Sequence, residues 1–178
     1  MTATPPDDGS TLREVPSPIA GYAEPERRPP FLPYLALMSV FGSLLGAALL
    51  VARRQERELP EQVSPGQVLL VGTASHKLSR ILTKDKVTSP LRAPFTELEG
   101  MGGPAEVKER SRGTGLRKAI GELLICPFCL GLWVVAAFSV GLVFAPRVTR
   151  FVASLFSALT VSDFFQIAYK AAEEKGLG

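Results

Sequence analysis

"LLICPFCLGLWVVAAFSVGLVFA", residues 123–145, contains no charged side chain in 23 positions and holds the chain's only two cysteines near its start. A helix crosses a bilayer core with about 20 mostly apolar residues, so this stretch is long enough to span. Working outward, residues 31–52 form a second uncharged run of 22, and residues 151–162 a third of 12, ended by Asp163. If Asp163 is tolerated, the third run continues to about residue 169. Two uncharged runs longer than 20 residues do not suit a water-soluble domain of 178 residues. We therefore expect an all-α integral membrane bundle of three to four helices.

Residues 31–52 form the first expected transmembrane helix. Arg53 and Arg54 close it where a cleavable signal would carry small residues, so it reads as a retained anchor. Residues 1–30 hold seven of the fifteen prolines and little apolar periodicity, the composition of a disordered tail. The C-terminal half, 119–170, reads as a transmembrane hairpin with helices at about 123–145 and 147–169. The connector "APRVTR" (145–150) is too short for anything but a tight turn, and residues 171–178 are left as a tail.

The segment 67–83 is the ambiguous one. It starts apolar, "QVLLVG", and ends with His76, Lys77 and Arg80, which suits either a surface-lying amphipathic helix or a span whose basic end snorkels. If it spans, four helices cross and the N-terminus is inside; if not, three cross and it is outside. Lys and Arg concentrate on cytoplasmic flanks, yet each arrangement puts 15 of them inside and 5 outside. Both place residues 84–118 in the cytoplasm as a basic loop without a core of its own, and snorkelling favours four crossings. Within that loop "TSPLRAPFT" (88–96) carries two prolines and reads as an extended stretch. Its Pro90, Leu91, Arg92, Pro94 and Phe95 are the candidate partner-binding residues. The formal charge of +3 matches basic cytoplasmic loops and gives no reason to expect nucleic-acid binding.

Chemistry is sparse. Pro127 suits the first helical position, which makes Cys126 the N-cap and sets Cys129 one turn deeper on the same face. A helix N-terminus favours a thiolate, so the pair has the layout of a membrane thiol site, redox or metal-binding. Against catalysis, no βαβ pattern supplies a thioredoxin-like scaffold, no second cysteine pair exists for a relay, and the cytoplasm keeps thiols reduced. Zinc takes four ligands, and Cys126, Cys129, His76 and Glu122 are the residues one chain offers. Small, buriable cysteines packed at a membrane interface account for the same pattern. Asp163 and Glu122 are the candidate intramembrane polar residues. Ser154, Ser157, Thr160 and Asp163 recur every three residues, a stripe suited to interhelical hydrogen bonds or a proton path, with Lys77, Arg80 or Glu122 as partners for Asp163. Gly42 with Gly46, and Ala137 with Gly141, are small-residue pairs that permit close helix approach, a homodimer among the outcomes.

"HKLSRILTKDKVTSPLRAPFT" (76–96), "GLRKAIGELLICPFCLGLWVV" (115–135) and "SDF" (162–164) resemble, in that order, the domain-of-unknown-function 1360 family of small bacterial membrane proteins. The resemblance covers about residues 67–170. It implies a multi-pass bacterial inner-membrane protein and favours 67–83 as a membrane helix, but it implies no activity, catalytic residue or cofactor. The resulting expectation is non-enzymatic: a scaffold or accessory subunit in the bilayer that binds another membrane component, with the thiol protein as the rival.

Overall fold

The computed structural model describes residues 31–176. The disorder expected for 1–30, and residues 177–178, lie outside them. The elements run α1 (Phe31–Arg54), α2 (Pro65–Lys84), a 3-10 turn (Lys86–Thr88), α3 (Ser89–Arg92), β1 (Thr96–Met101), β2 (Val107–Ser111), α4 (Gly115–Ile125), α5 (Pro127–Phe144) and α6 (Pro146–Gly176).

Proline sets several helix starts. Pro65, Pro127 and Pro146 begin α2, α5 and α6, positions where the missing N–H costs nothing. Ser64 caps α2 by accepting the Gln67 N–H at 3.2 Å. At the other end of the bundle's first helix, Arg57 N–H returns to the Ala52 carbonyl at 2.9 Å, and Glu56 takes a left-handed φ of 53° to turn the chain.

α2 is central, packing against both α5 and α6. It runs parallel to α6, since Thr73 meets Ser157 and Lys77 meets Asp163. It is antiparallel to α5, whose Gly131 lies beside Ser79 near the α2 C-terminus. Val71, Ala74, Val134, Phe138 and Ala153 form the core between the three helices. α1 leans on α4 and α5, where Phe41 meets Trp133 edge to face with centroids 5.1 Å apart. The order is thus up-down-up-down: one end of the bundle gathers the α1 C-terminus and the α5–α6 turn, the other gathers 85–126.

Three helices, α1, α5 and α6, are long and apolar enough to cross a membrane. At 1.5 Å per residue the 18 residues of α5 span about 27 Å. Three expectations need correction. The fold is not purely helical, because β1 and β2 pair antiparallel with a bulge between Leu98 and Gly100. The TSPLRAPFT stretch is not extended: Ser89–Arg92 makes a helical turn that tolerates Pro90 in its first positions. The C-terminal tail is helical through Gly176, because nothing in "AAEEKG" stops α6 before that glycine.

Candidate functional site

The 84–118 region has an organising centre in Arg92, which is 1% exposed. Its Nη1 donates to the Leu82 carbonyl at 2.8 Å and to Thr88 Oγ1 at 2.6 Å. Its Nη2 donates to the Asp85 carbonyl at 3.0 Å, and Nε pairs with Glu109 Oε2 at 2.5 Å. The last carbonyls of a helix have no partner within it and carry partial negative charge. Arg92 therefore caps the C-terminal end of α2 while its charge is met by Glu109, itself buried on β2. Thr88 adds bonds from Oγ1 to the Ile81 carbonyl at 2.5 Å and the Asp85 carbonyl at 3.0 Å.

Further ties lock the hairpin onto the bundle. Lys86 N–H donates to the Ala105 carbonyl at 2.8 Å, and Arg80 pairs with Glu106. Arg117 reaches the Pro94 carbonyl through Nε at 2.9 Å and Nη2 at 2.6 Å. Gly121 is buried on α4, where a Cβ would overlap the Phe95 carbonyl oxygen and stand 3.0 Å from Ser111 Cβ. Only glycine allows α4 to lie this close to the hairpin. Burial pushes the Asp85 carboxyl above its usual range, Lys77 and Arg80 pulling it down and Glu106 and Asp163 adding to the rise.

Of the five candidate partner-binding residues, Arg92 is an internal clamp, because its donors are taken up by carbonyls and Glu109. Phe95 is half-buried, and its carbonyl accepts the Arg112 N–H at 2.8 Å. Pro90, Leu91 and Pro94 are exposed, Leu91 at 67% beside Val87 at 83%. The clamp thus holds an apolar edge outward.

The cysteines sit where the spacing placed them. Cys126 Sγ accepts the Cys129 N–H at 3.2 Å as the N-cap of α5. Nearby, Tyr34 from α1 donates its hydroxyl to Glu122, and Lys118 lies 3.9 Å from the same carboxylate. Tyr34 and Lys118 were not singled out by the sequence; the i,i+4 spacing of Lys118 and Glu122 was the available signal. Among the described residues no three of His, Cys, Asp and Glu gather as a metal site, so neither His76 nor Glu122 completes one with Cys126 and Cys129 within a chain. His76 is exposed on α2.

Asp163 takes Lys77 as its partner at 2.6 Å. The rest of its stripe is spent on helix contacts. Ser157 donates to the Leu70 carbonyl at 3.0 Å, Thr160 to the Thr73 carbonyl at 3.0 Å, and Ser154 turns back to its own helix. These bonds make a parallel α2–α6 seam.

A helical bundle with three potential spans, closed at one end by an Arg-clamped hairpin, is the class these features define. Residues 70–169 match the family described as Protein of unknown function (DUF1360); this is more than half of the chain, which belongs to that family. The sporulation protein YjcA of Bacillus subtilis (strain 168) is 38% identical over 69 residues, 37% of this chain and 58% of the relative. The match therefore spans little more than half of that relative's length. No solved structure gives a significant match.

Proposed function

We propose that the protein is a four-crossing protein of the bacterial inner membrane, with residues 85–126 in the cytoplasm, acting as a non-enzymatic scaffold or accessory subunit. Large apolar side chains cover the outside of the bundle, among them Leu44, Leu50, Leu132 and Leu155. A continuous apolar exterior of this kind is unfavourable in water and suits lipid. The polar helix α2 can cross with the others: Ser75, Ser79 and Thr83 are buried and Lys77 pairs with Asp163, while His76 and Arg80 lie toward the basic end, where snorkelling serves them. The excess of Lys and Arg around 77–118 orients that end inward.

The docking role is carried by the seating of Arg92. A buried guanidinium with four of its N–H groups engaged holds Val87, Pro90 and Leu91 in a fixed, exposed edge, and a preformed edge binds without the entropic cost of ordering a loop. A photoreactive residue in place of Leu91 should form a discrete adduct with another membrane protein in cells, while one at Lys108 on β2 should not. Adducts to lipid alone at Leu91 would make the edge a membrane-surface contact and overturn the docking role.

The thiol reading rests on the Cys126 cap, which sets both sulfurs at one helix N-terminus. Cys126→Ser with Cys129→Ser separates the two: the scaffold keeps its abundance and its adducts, a thiol protein loses function outright. Labelling by membrane-permeant but not impermeant maleimide in whole cells checks the orientation. The similarity to a sporulation protein makes spore yield the phenotype to score for a deletion in a spore-forming host.

A further inference from the structure

At the end of the bundle away from the hairpin, α1 and α2 part and leave a groove of about 1170 Å³ floored by α5. Ligand pockets usually fall between about 300 and 1,000 Å³, so this one admits something larger and longer than a typical small metabolite. Its length is apolar, with Leu49 of α1, Val71 of α2, and Val135 and Leu142 of α5 among the walls. Its mouth is not. Arg57, from the link after α1, and Arg150, from the first turns of α6, line the same groove, with Glu58 and Glu61 on the rim. Among the described residues neither arginine forms an ion pair with these or any other carboxylates.

We propose that this groove is a binding site for one membrane glycerophospholipid, with an acyl chain along the apolar walls and the phosphodiester at Arg57 and Arg150. Guanidinium groups are the preferred partners of phosphate oxygens, and both arginines line this groove with no ion pair to a carboxylate among the described residues. Glu58 and Glu61 offer acceptors to the hydroxyl or ammonium group that a phospholipid head carries beyond its phosphate. The groove's position supports the same occupant: by the membrane placement proposed above, its mouth lies at the headgroup level of the outer leaflet and its apolar length at acyl depth. Residues 70–169, the part shared with the family, supply α5, most of α2 and Arg150. α1 and Arg57 lie outside that part, so the site belongs to this chain's own arrangement.

Gly72 provides a means of filling the groove. It lines the cavity, and a Cβ there meets nothing within 4 Å, so Gly72→Phe adds bulk at the groove wall with room at its first carbon. The full chain is purified in detergent, exchanged exhaustively, and analysed for retained lipid by native mass spectrometry and phosphorus content. The expected result is about one phospholipid per chain, falling at least tenfold in Gly72→Phe and in the Arg57→Gln, Arg150→Gln double variant. Rebinding should occur with phosphatidylglycerol and not with diacylglycerol, which lacks the phosphate. Equal retention in wild type and both variants means annular lipid only and overturns the site. Equal rebinding of diacylglycerol removes the role of the arginines and overturns it too. A second copy in the groove, seen as a dimer cross-linked through Leu49, overturns it as well. If Gly72→Phe fails to fold, the arginine variant, altered only at the rim, decides. The proposal rests on membrane placement, whose own failure would show separately as extraction without detergent.

Discussion

α2 and α5 lie side by side, and they are built by opposite rules. α5 has 18 residues and no charge, yet only Val134 and Phe138 are buried; Leu132, Val135 and Phe128 face outward. α2 has 20 residues that include Ser75, His76, Lys77, Ser79, Arg80, Thr83 and Lys84, yet it packs on two helices and buries five positions, three of them hydroxyl-bearing. Hydrophobicity therefore marks the side of the bundle that faces out, and polarity the helix it shelters. That inversion is what a lipid exterior allows, since apolar surface is at no disadvantage there and helix association relies on close packing and hydrogen bonds.

The largest way to break α2's position is through its capped end. Arg92→Met removes three carbonyl or hydroxyl contacts and leaves Glu109 buried without its cation. Breaking a buried pair from one side typically costs about 3–5 kcal/mol. The variant should lose that much stability in detergent and expose residues 85–126 to protease, with α5 and α6 still protected. Adding Glu109→Leu should return part of the loss, because the stranded carboxylate is gone while the α2 carbonyls stay uncapped. A loss below about 1 kcal/mol would show that the clamp is ornamental.

On α5 the contrast can be sharpened within two turns. Phe138→Ala empties a core site and should cost about 3 kcal/mol. Leu132→Ala, at 58% exposure, should stay within about 0.5 kcal/mol. If the two were equal, the exposed face of α5 would have to be covered by a partner helix. The seam predicts a smaller effect. Thr160→Val removes the bond to the Thr73 carbonyl and should cost about 0.6 kcal/mol, the average for interhelical hydrogen bonds in membranes. Thermal unfolding in detergent reads all three.

The same inversion explains which parts of the fold were legible in the sequence. α1, α5 and α6 could be read directly, because each carries an apolar stretch long enough for a candidate membrane span. α2 stayed ambiguous because its basic end resembles a surface helix, and only Asp163 and the 85–126 region reveal where those charges go. The hairpin is hard to read in the sequence although Gly102, Gly103 and Pro104 mark its turn: five of its eleven strand residues are charged, and the strands bury little beyond Thr96, Val107 and the Glu109 side chain, so no apolar alternation announces them. Arg92 reads as a candidate partner-binding residue, and its internal role is not legible, because two of its acceptors are backbone carbonyls, which every sequence contains, and the carboxylate that pairs with it lies 17 residues away on β2. The Cys126 cap was legible, since Pro127 fixes the helix start by local rules alone.

The smallest effect concerns Asp85, the residue that ends α2. Its carboxylate stands at the negative end of the helix dipole and makes no side-chain cap bond to the turn that follows. Burial raises its pKa above the ordinary 3.8, more than Lys77 and Arg80 lower it. A raised carboxyl pKa means that the folded state holds the proton more tightly than the unfolded one, so ionisation at neutral pH opposes folding. Asp85→Asn removes that opposition without removing a hydrogen bond, and should stabilise the protein at pH 7 by no more than about 0.5 kcal/mol at so partly exposed a site. The sign fixes the pH dependence. Below the ordinary value both states of the wild type are protonated, and the variant has no advantage from this group. As pH rises through the interval up to the raised value the advantage grows, and above it the advantage is constant. Unfolding midpoints of the two proteins compared between pH 3.5 and 7 test this. A variant less stable at pH 7 would show instead that Lys77 and Arg80 hold the ionised Asp85 as a favourable cap, giving the basic end of α2 a charge partner at each side.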